Sequence, residues 1–156
     1  MRRWGVVIVM LAAAAVPIGV LAATGTGSAQ VNRQRFAYTT DGFTTTSTTF
    51  VDVPGLVVNV CSDNLVAANV GLGLGGAQVS VRAVADDGPV MFPGPVIFAP
   101  GSTTGFSFPF ARALSAFEDD DSHQIKVQVR STTGASVNVN RGTLIVQYQQ
   151  GDQGCP

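Results

Sequence analysis

Beyond residue 30, apolar and polar residues alternate one for one over run after run. That period suits a strand with one buried face and denies a helix its apolar stripe. Gln78-Val79-Ser80-Val81-Arg82-Ala83-Val84 follows it, and so does Gln124-Ile125-Lys126-Val127-Gln128-Val129-Arg130. Ser136-Val137-Asn138-Val139-Asn140 repeats it, and Thr143-Leu144-Ile145-Val146-Gln147-Tyr148 is a more fully apolar strand. Turn residues separate the runs at Asp86-Asp87-Gly88, Thr132-Thr133-Gly134 and Asn140-Arg141-Gly142. The last three strands therefore read as a meander of antiparallel neighbours, each with one face in the core.

Upstream, Gln34 to Tyr38 and Thr44 to Val53 read as two further strands, the second rich in β-branched threonine and ended by Pro54-Gly55. Leu56 to Cys61 and Leu65 to Leu74 follow. The glycines Gly71, Gly73, Gly75 and Gly76 carry no GxxxxGK[ST] spacing and precede no helical pattern, so they mark a bulged or tightly bent strand and not a phosphate loop. Prolines 89, 93, 95, 100 and 109 exclude a long helix and favour short edge strands and loops. Ala111 to Phe117 is the only segment that admits a helical turn. About nine or ten short strands with no αβ alternation predict an all-β fold, an antiparallel β-sandwich of jelly-roll type in one domain spanning residues 30–156.

The first 29 residues have a different character. Arg2 and Arg3 precede an apolar run from Trp4 to about Ala23 and then small residues through Ala29, the order of a secretory signal peptide. The expected cleavage follows Ala29, with Ala22 as the second choice; Pro17 and Gly19 interrupt the run and argue against a retained anchor. The mature chain is expected outside the cell or in the cell envelope, without a membrane segment. Processing removes two arginines and no acid, which moves the formal charge from −1 to −3, and it also removes the only Trp. One lysine, Lys126, is left. A basic stripe for phosphate neutralisation is missing, and nucleic acid is set aside as a partner. Cys61 and Cys155 both survive into an oxidising compartment, where pairing is the simplest outcome. The bridge would close a loop worth roughly 4–5 kcal/mol in the chain-entropy account.

Little in the sequence carries chemistry. His123 is the sole histidine, no GxSxG elbow accompanies it, and no serine or threonine is singled out as a nucleophile. One histidine and two paired cysteines do not make an ordinary zinc or copper site. Glu118-Asp119-Asp120-Asp121 offers the oxygen ligands that calcium takes, joined in the sharper reading by Asp86 and Asp87, but the alternating spacing of an EF-hand is absent and a solvated loop is the plainer reading. Calcium is the only cofactor left open. Phe106, Phe108 and Phe110 fall on one face of an extended segment, where they either close the core or, with His123, form an exposed rim for a ligand.

Thr44 to Gly55 (TTTSTTFVDVPG), His123 to Arg130 (HQIKVQVR) and Arg141 to Tyr148 (RGTLIVQY) resemble blocks of uncharacterised secreted bacterial jelly-roll domains. The resemblance implies a fold and no activity. The compact jelly rolls of the tumour-necrosis-factor and complement-C1q type are similar in strand economy, and that similarity implies a homo-oligomer. The expectation is a secreted or cell-surface, non-enzymatic sandwich that binds or assembles through its sheet faces or end loops. Its partners are copies of itself or a glycan or other cell-surface ligand. The alternative is a calcium-assisted carbohydrate-binding or hydrolytic domain built on Glu118 to Asp121 with His123.

Overall fold

The computed structural model describes residues 31–62, 65–114 and 122–150. The segment expected to be a signal peptide, Glu118 to Asp121 and Cys155 lie outside them. Within them the chain forms nine strands: β1 (Val31–Thr39), β2 (Phe43–Thr45), β3 (Val51–Cys61), β4 (Leu65–Gly76), β5 (Val79–Ala85), β6 (Val96–Phe98), β7 (Gly101–Ala113), β8 (Ser122–Ser131) and β9 (Val137–Gln150). Every pairing is antiparallel. β1 pairs β9, β3 pairs β8, β4 pairs β7 and β5 pairs β6, so the chain runs out through one set of strands and returns in reverse order through the other. Two more pairings, β4 with β9 and β5 with β8, roll this long ribbon into two sheets, β1-β9-β4-β7 and β3-β8-β5-β6. The nested order is that of a jelly roll, and β2 extends the first sheet along the early part of β9.

The rolling explains where sequence reasoning went astray. β8 and β9 are neighbours in sequence but lie in different sheets, so the expected meander does not exist. The expected turn at Asn140-Arg141-Gly142 is instead a bulge inside the continuous strand β9, with Asn140 the extra residue between Val139, opposite Leu74, and Arg141, opposite Gly73. Pro54-Gly55 does not end a strand either. Thr44 to Val53 is divided between β2 and β3, and β3 passes through the Pro-Gly pair in a register shift between Asp52 and Val57. β3 is an edge strand, and a bulge there accommodates a residue with no N–H to give β8. Gly55 adopts φ +79 against Thr39, the last residue of β1. Of Ala111 to Phe117, the one segment that admitted a helical turn, Ala111 to Ala113 belong to β7 and residues 115–117 lie outside the described residues; no described residue is helical.

Two of the expected turns and the glycine bend are present. Asp86 and Asp87 have φ of 50 and 58, and the Gly88 N–H reaches the Ala85 carbonyl at 3.1 Å, as a tight reversal needs. Gly134 has φ +80 in the connection between β8 and β9, and β4 shifts register near Gly76, whose φ is +87.

Between the sheets lies a core of valine and leucine with few aromatics, led by Leu56, Leu74, Met91, Phe110, Ile125 and Leu144. Met91 is buried although it lies in the β5–β6 connection, because that segment closes one side of the sandwich. Its N–H donates to the Ala83 carbonyl of the second sheet at 2.9 Å, while Phe92 exchanges backbone hydrogen bonds with Ala111 of the first. The connection thereby covers part of the free edge of β7.

Candidate functional site

The two outer faces of the sandwich differ sharply in chemistry. On the second sheet, β8 turns Gln124, Lys126, Gln128 and Arg130 outward, and partners from β3 and the Asp86-Asp87 turn answer them. Arg82 Nε donates to Gln128 Oε1 at 2.8 Å, and Gln128 Nε2 donates to Asp52 Oδ1 at 2.7 Å. Lys126 Nζ lies 2.7 Å from Asp87 Oδ1 and 3.7 Å from Asp52 Oδ2. The hydrogen bond that Lys126 donates to Asp87 holds its ammonium above its ordinary pKa, with the nearby Asp87 and Asp52 charges adding to it. His123 Nδ1 donates to Asp86 Oδ2 at 2.6 Å, and Asp86 Oδ1 accepts the Gln124 N–H at 2.7 Å. Around Asp52, Asp86 and Asp87 this face is a ladder of paired charges.

The first sheet presents another surface. Antiparallel register sets Gln34, Phe36 and Tyr38 of β1 beside Gln147, Ile145 and Thr143 of β9. These continue into Ala67, Asn69 and Gly71 of β4, then Ala111, Pro109 and Ser107 of β7. Of the described residues on this face Arg141 alone is charged. Phe36 and Tyr38 are 70% and 67% exposed, and Leu65 joins them at the far end. Arg141 lies over Gly73 and Thr143 over Gly71. A Cβ at Gly73 would meet the Arg141 Cγ at 3.1 Å, and one at Gly71 would meet the Thr143 Oγ1 at 2.7 Å. With Gly105 beyond them, these glycines form the floor of a groove of about 310 Å³ with Tyr38 on its wall. The groove holds hydroxyls, a guanidinium and an aromatic ring, but no carboxylate, imidazole or thiol.

The residues singled out from sequence fall elsewhere. Phe110 is fully buried, and Phe106 and Phe108 pack against the core with Phe98, whose ring centroid is 4.4 Å from that of Phe106. These three rings face inward, and the exposed aromatics among the described residues are Phe36, Tyr38 and Phe92. His123 is engaged by Asp86, and no hydroxyl or thiol of the described residues hydrogen-bonds it, so the arrangement lacks the nucleophile of a triad. Asp86 and Asp87 are committed to His123 and Lys126. Glu118 to Asp121 lie outside the described residues, and among those described no three potential ligands gather as a metal site. Cys61 ends β3, and none of the described cysteines is free. No protein-family model matches the sequence, and no curated protein matches it.

Sequence reasoning missed the outer face of the first sheet. Phe36 and Tyr38 had been placed in a strand, but which side they occupy follows from Ala37, which packs against the core opposite Leu144.

Proposed function

We propose that this chain is an exported, non-enzymatic jelly-roll module that works by assembly, joining copies of itself through the outer face of the β1-β9-β4-β7 sheet. The near absence of charge on that face, beside a second sheet dense in charge, is the observation that carries the reading. Surfaces that stay in water carry mixed charge, whereas interface centres are depleted of it and enriched in aromatics. A face with a single charge meets its own copy without rows of like charges opposed, as symmetric contacts require. Four strands at strand spacing and about nine residues long span roughly 20 by 30 Å in plan, the same order as the ~800 Å² that a standard interface takes from each partner. The Cys61–Cys155 bridge and the signal segment belong to the same proposal: they place the module where a thiol pair oxidises.

Light scattering on the chain lacking residues 1–29 tests it. The expected result is a defined oligomer at micromolar concentration that Phe36→Glu with Tyr38→Glu converts to monomer while the far-ultraviolet β spectrum is kept. A strict monomer at millimolar concentration overturns the assembly reading.

A further inference from the structure

The charges on the second sheet balance everywhere except around Arg130. Arg82 of β5 and Arg130 of β8 both bring their guanidinium groups to the Phe50 ring, with Cζ 4.0 and 4.8 Å from its centroid. Arg82 is tied through Gln128 to Asp52. Lys126 takes Asp87 and shares Asp52. Three cations, Arg82, Lys126 and Arg130, thus face two carboxylates, and Arg130 is the one left without an acid among the described residues. Its Nε is buried with no hydrogen-bond partner. Opposite Arg130 in the β5–β8 register stands Ser80, fully buried, whose Oγ also has no partner. These two are the only buried side-chain polar atoms of the described residues in that condition, and they form one cross-strand pair.

A buried donor left unmade costs about 1–3 kcal/mol, and more when it is charged. These two unmet groups, one of them on the uncompensated cation itself, define a place that lacks an acceptor with negative charge. Burial and the neighbouring Arg130 charge also lower the Arg82 pKa, so the two guanidinium groups repel in a partly desolvated setting. An anion between them relieves that repulsion. Guanidinium forks match oxyanions geometrically, and the cation–π contacts with Phe50 hold both groups close together in advance.

We infer that Arg82, Arg130 and Ser80 form a binding site for a tetrahedral oxyanion, the sulfate or phosphate group of a ligand. Two arginine forks and a hydroxyl offer more donors than the two oxygens of a carboxylate use, and they suit an anion with three or four. Both arginines are only half-buried, which leaves them open to solvent beyond the buried Nε. Asp52 keeps Arg82 in place through Gln128 and makes no contact with Arg130 that would neutralise it.

The test is thermal unfolding of the chain lacking residues 1–29 in millimolar sodium sulfate or sodium phosphate, against sodium chloride at equal ionic strength. A rise of about 3–5 °C at roughly ten times Kd is expected for the unaltered protein. Arg130→Gln should abolish it and Arg35→Gln, an exposed arginine of β1 in the opposite sheet and off its outer face, should leave it intact. If Arg130→Gln fails to fold, Arg130→Lys keeps the charge without the fork and should bind about tenfold more weakly. A sulfated oligosaccharide with its desulfated counterpart separates a sulfate ester from the free ion: tighter binding than inorganic sulfate, lost on desulfation, assigns the ester, and equal binding assigns the free ion. A flat response to both anions, or one that survives in Arg130→Gln, overturns the site and leaves Ser80 and Arg130 joined by water alone.

Discussion

Gly142 decides whether residues 137–150 form one strand or two. In a turn, as the Asn-Arg-Gly triplet suggests, alanine at this position would meet solvent. In the structure Gly142 faces the core, where an added Cβ would stand 2.5 Å from the Leu56 Cδ1 and 3.0 Å from the Leu72 Cδ2. Its φ lies outside the left-handed region, so alanine meets no backbone penalty and the effect of Gly142→Ala is steric. Overpacking of this kind costs about 1–3 kcal/mol, against which the less flexible unfolded chain returns about 0.4–1 kcal/mol. A net loss of about 1–2 kcal/mol is expected. Gly105→Ala is the control, since nothing lies within 4 Å of its Cβ, and it should be neutral or slightly stabilising. Urea unfolding measures both, with a midpoint lowered by about 1 M and an unchanged slope for Gly142→Ala. Leu56→Val removes the clashing methyl group's reach, so adding it to Gly142→Ala should cost less than it does alone, a coupling visible in a double-mutant cycle. Equal midpoints for Gly142→Ala and Gly105→Ala would refute the continuous strand.

Other consequences follow from individual contacts. The Lys126 pKa is raised on folding by Asp87, so the pair's contribution to stability is fully present below the ordinary lysine value of 10.5 and is lost as pH rises through the higher folded value. Asp87→Asn should therefore lower the urea midpoint by a constant amount from pH 8 to 10, with the difference closing above that; a difference that stays constant to pH 12 would be evidence against the pair. Asp86→Ala removes the acceptor of both His123 Nδ1 and the Gln124 N–H and places alanine at φ 50, so about 1–3 kcal/mol should be lost in the same assay. Met91→Ala should cost about 2–5 kcal/mol although the residue lies in a connection, because its side chain is fully buried.

The fold was legible where one residue type at one spacing leaves a single physical solution. Alternation in β8 predicts Ile125, Val127 and Val129 inside, and all three are buried. Asp86-Asp87-Gly88 reads as a reversal and is one. What could not be read is which sheet each strand joins. β8 and β9 alternate alike, and nothing local separates a hairpin from a crossing between sheets; the choice rests on β4, whose register with β9 is set some 70 residues away in sequence. β5 shows a second limit. Its pattern reads as half-buried, yet Ser80 and Val84 on its outer side are buried as well, because β5 lies inside its sheet between β8 and β6. The oxyanion site was hidden for the same reason, since Phe50, Ser80, Arg82 and Arg130 come from three separate stretches of chain.

The contrast between the two outer faces can be traced to the residues that share parity with each buried set. Each strand has one set of positions for the core and another for whatever lies outside, and the second set is free to vary. In β8 that set is Gln124, Lys126, Gln128 and Arg130; in β9 it is Arg141, Thr143, Ile145 and Gln147. Charge at alternate positions of β8 is enough to keep its sheet in water. On the other sheet, glycine at 71 and 73 gives up side-chain packing and strand propensity, which disfavours a strand that only needs to fold. The return is a floor on which Thr143 and Arg141 lie flat beneath exposed Tyr38. Replacing Gly71 with alanine should therefore raise Thr143 from the floor and weaken assembly more than it weakens folding, whereas a surface without a partner would show only the change in folding.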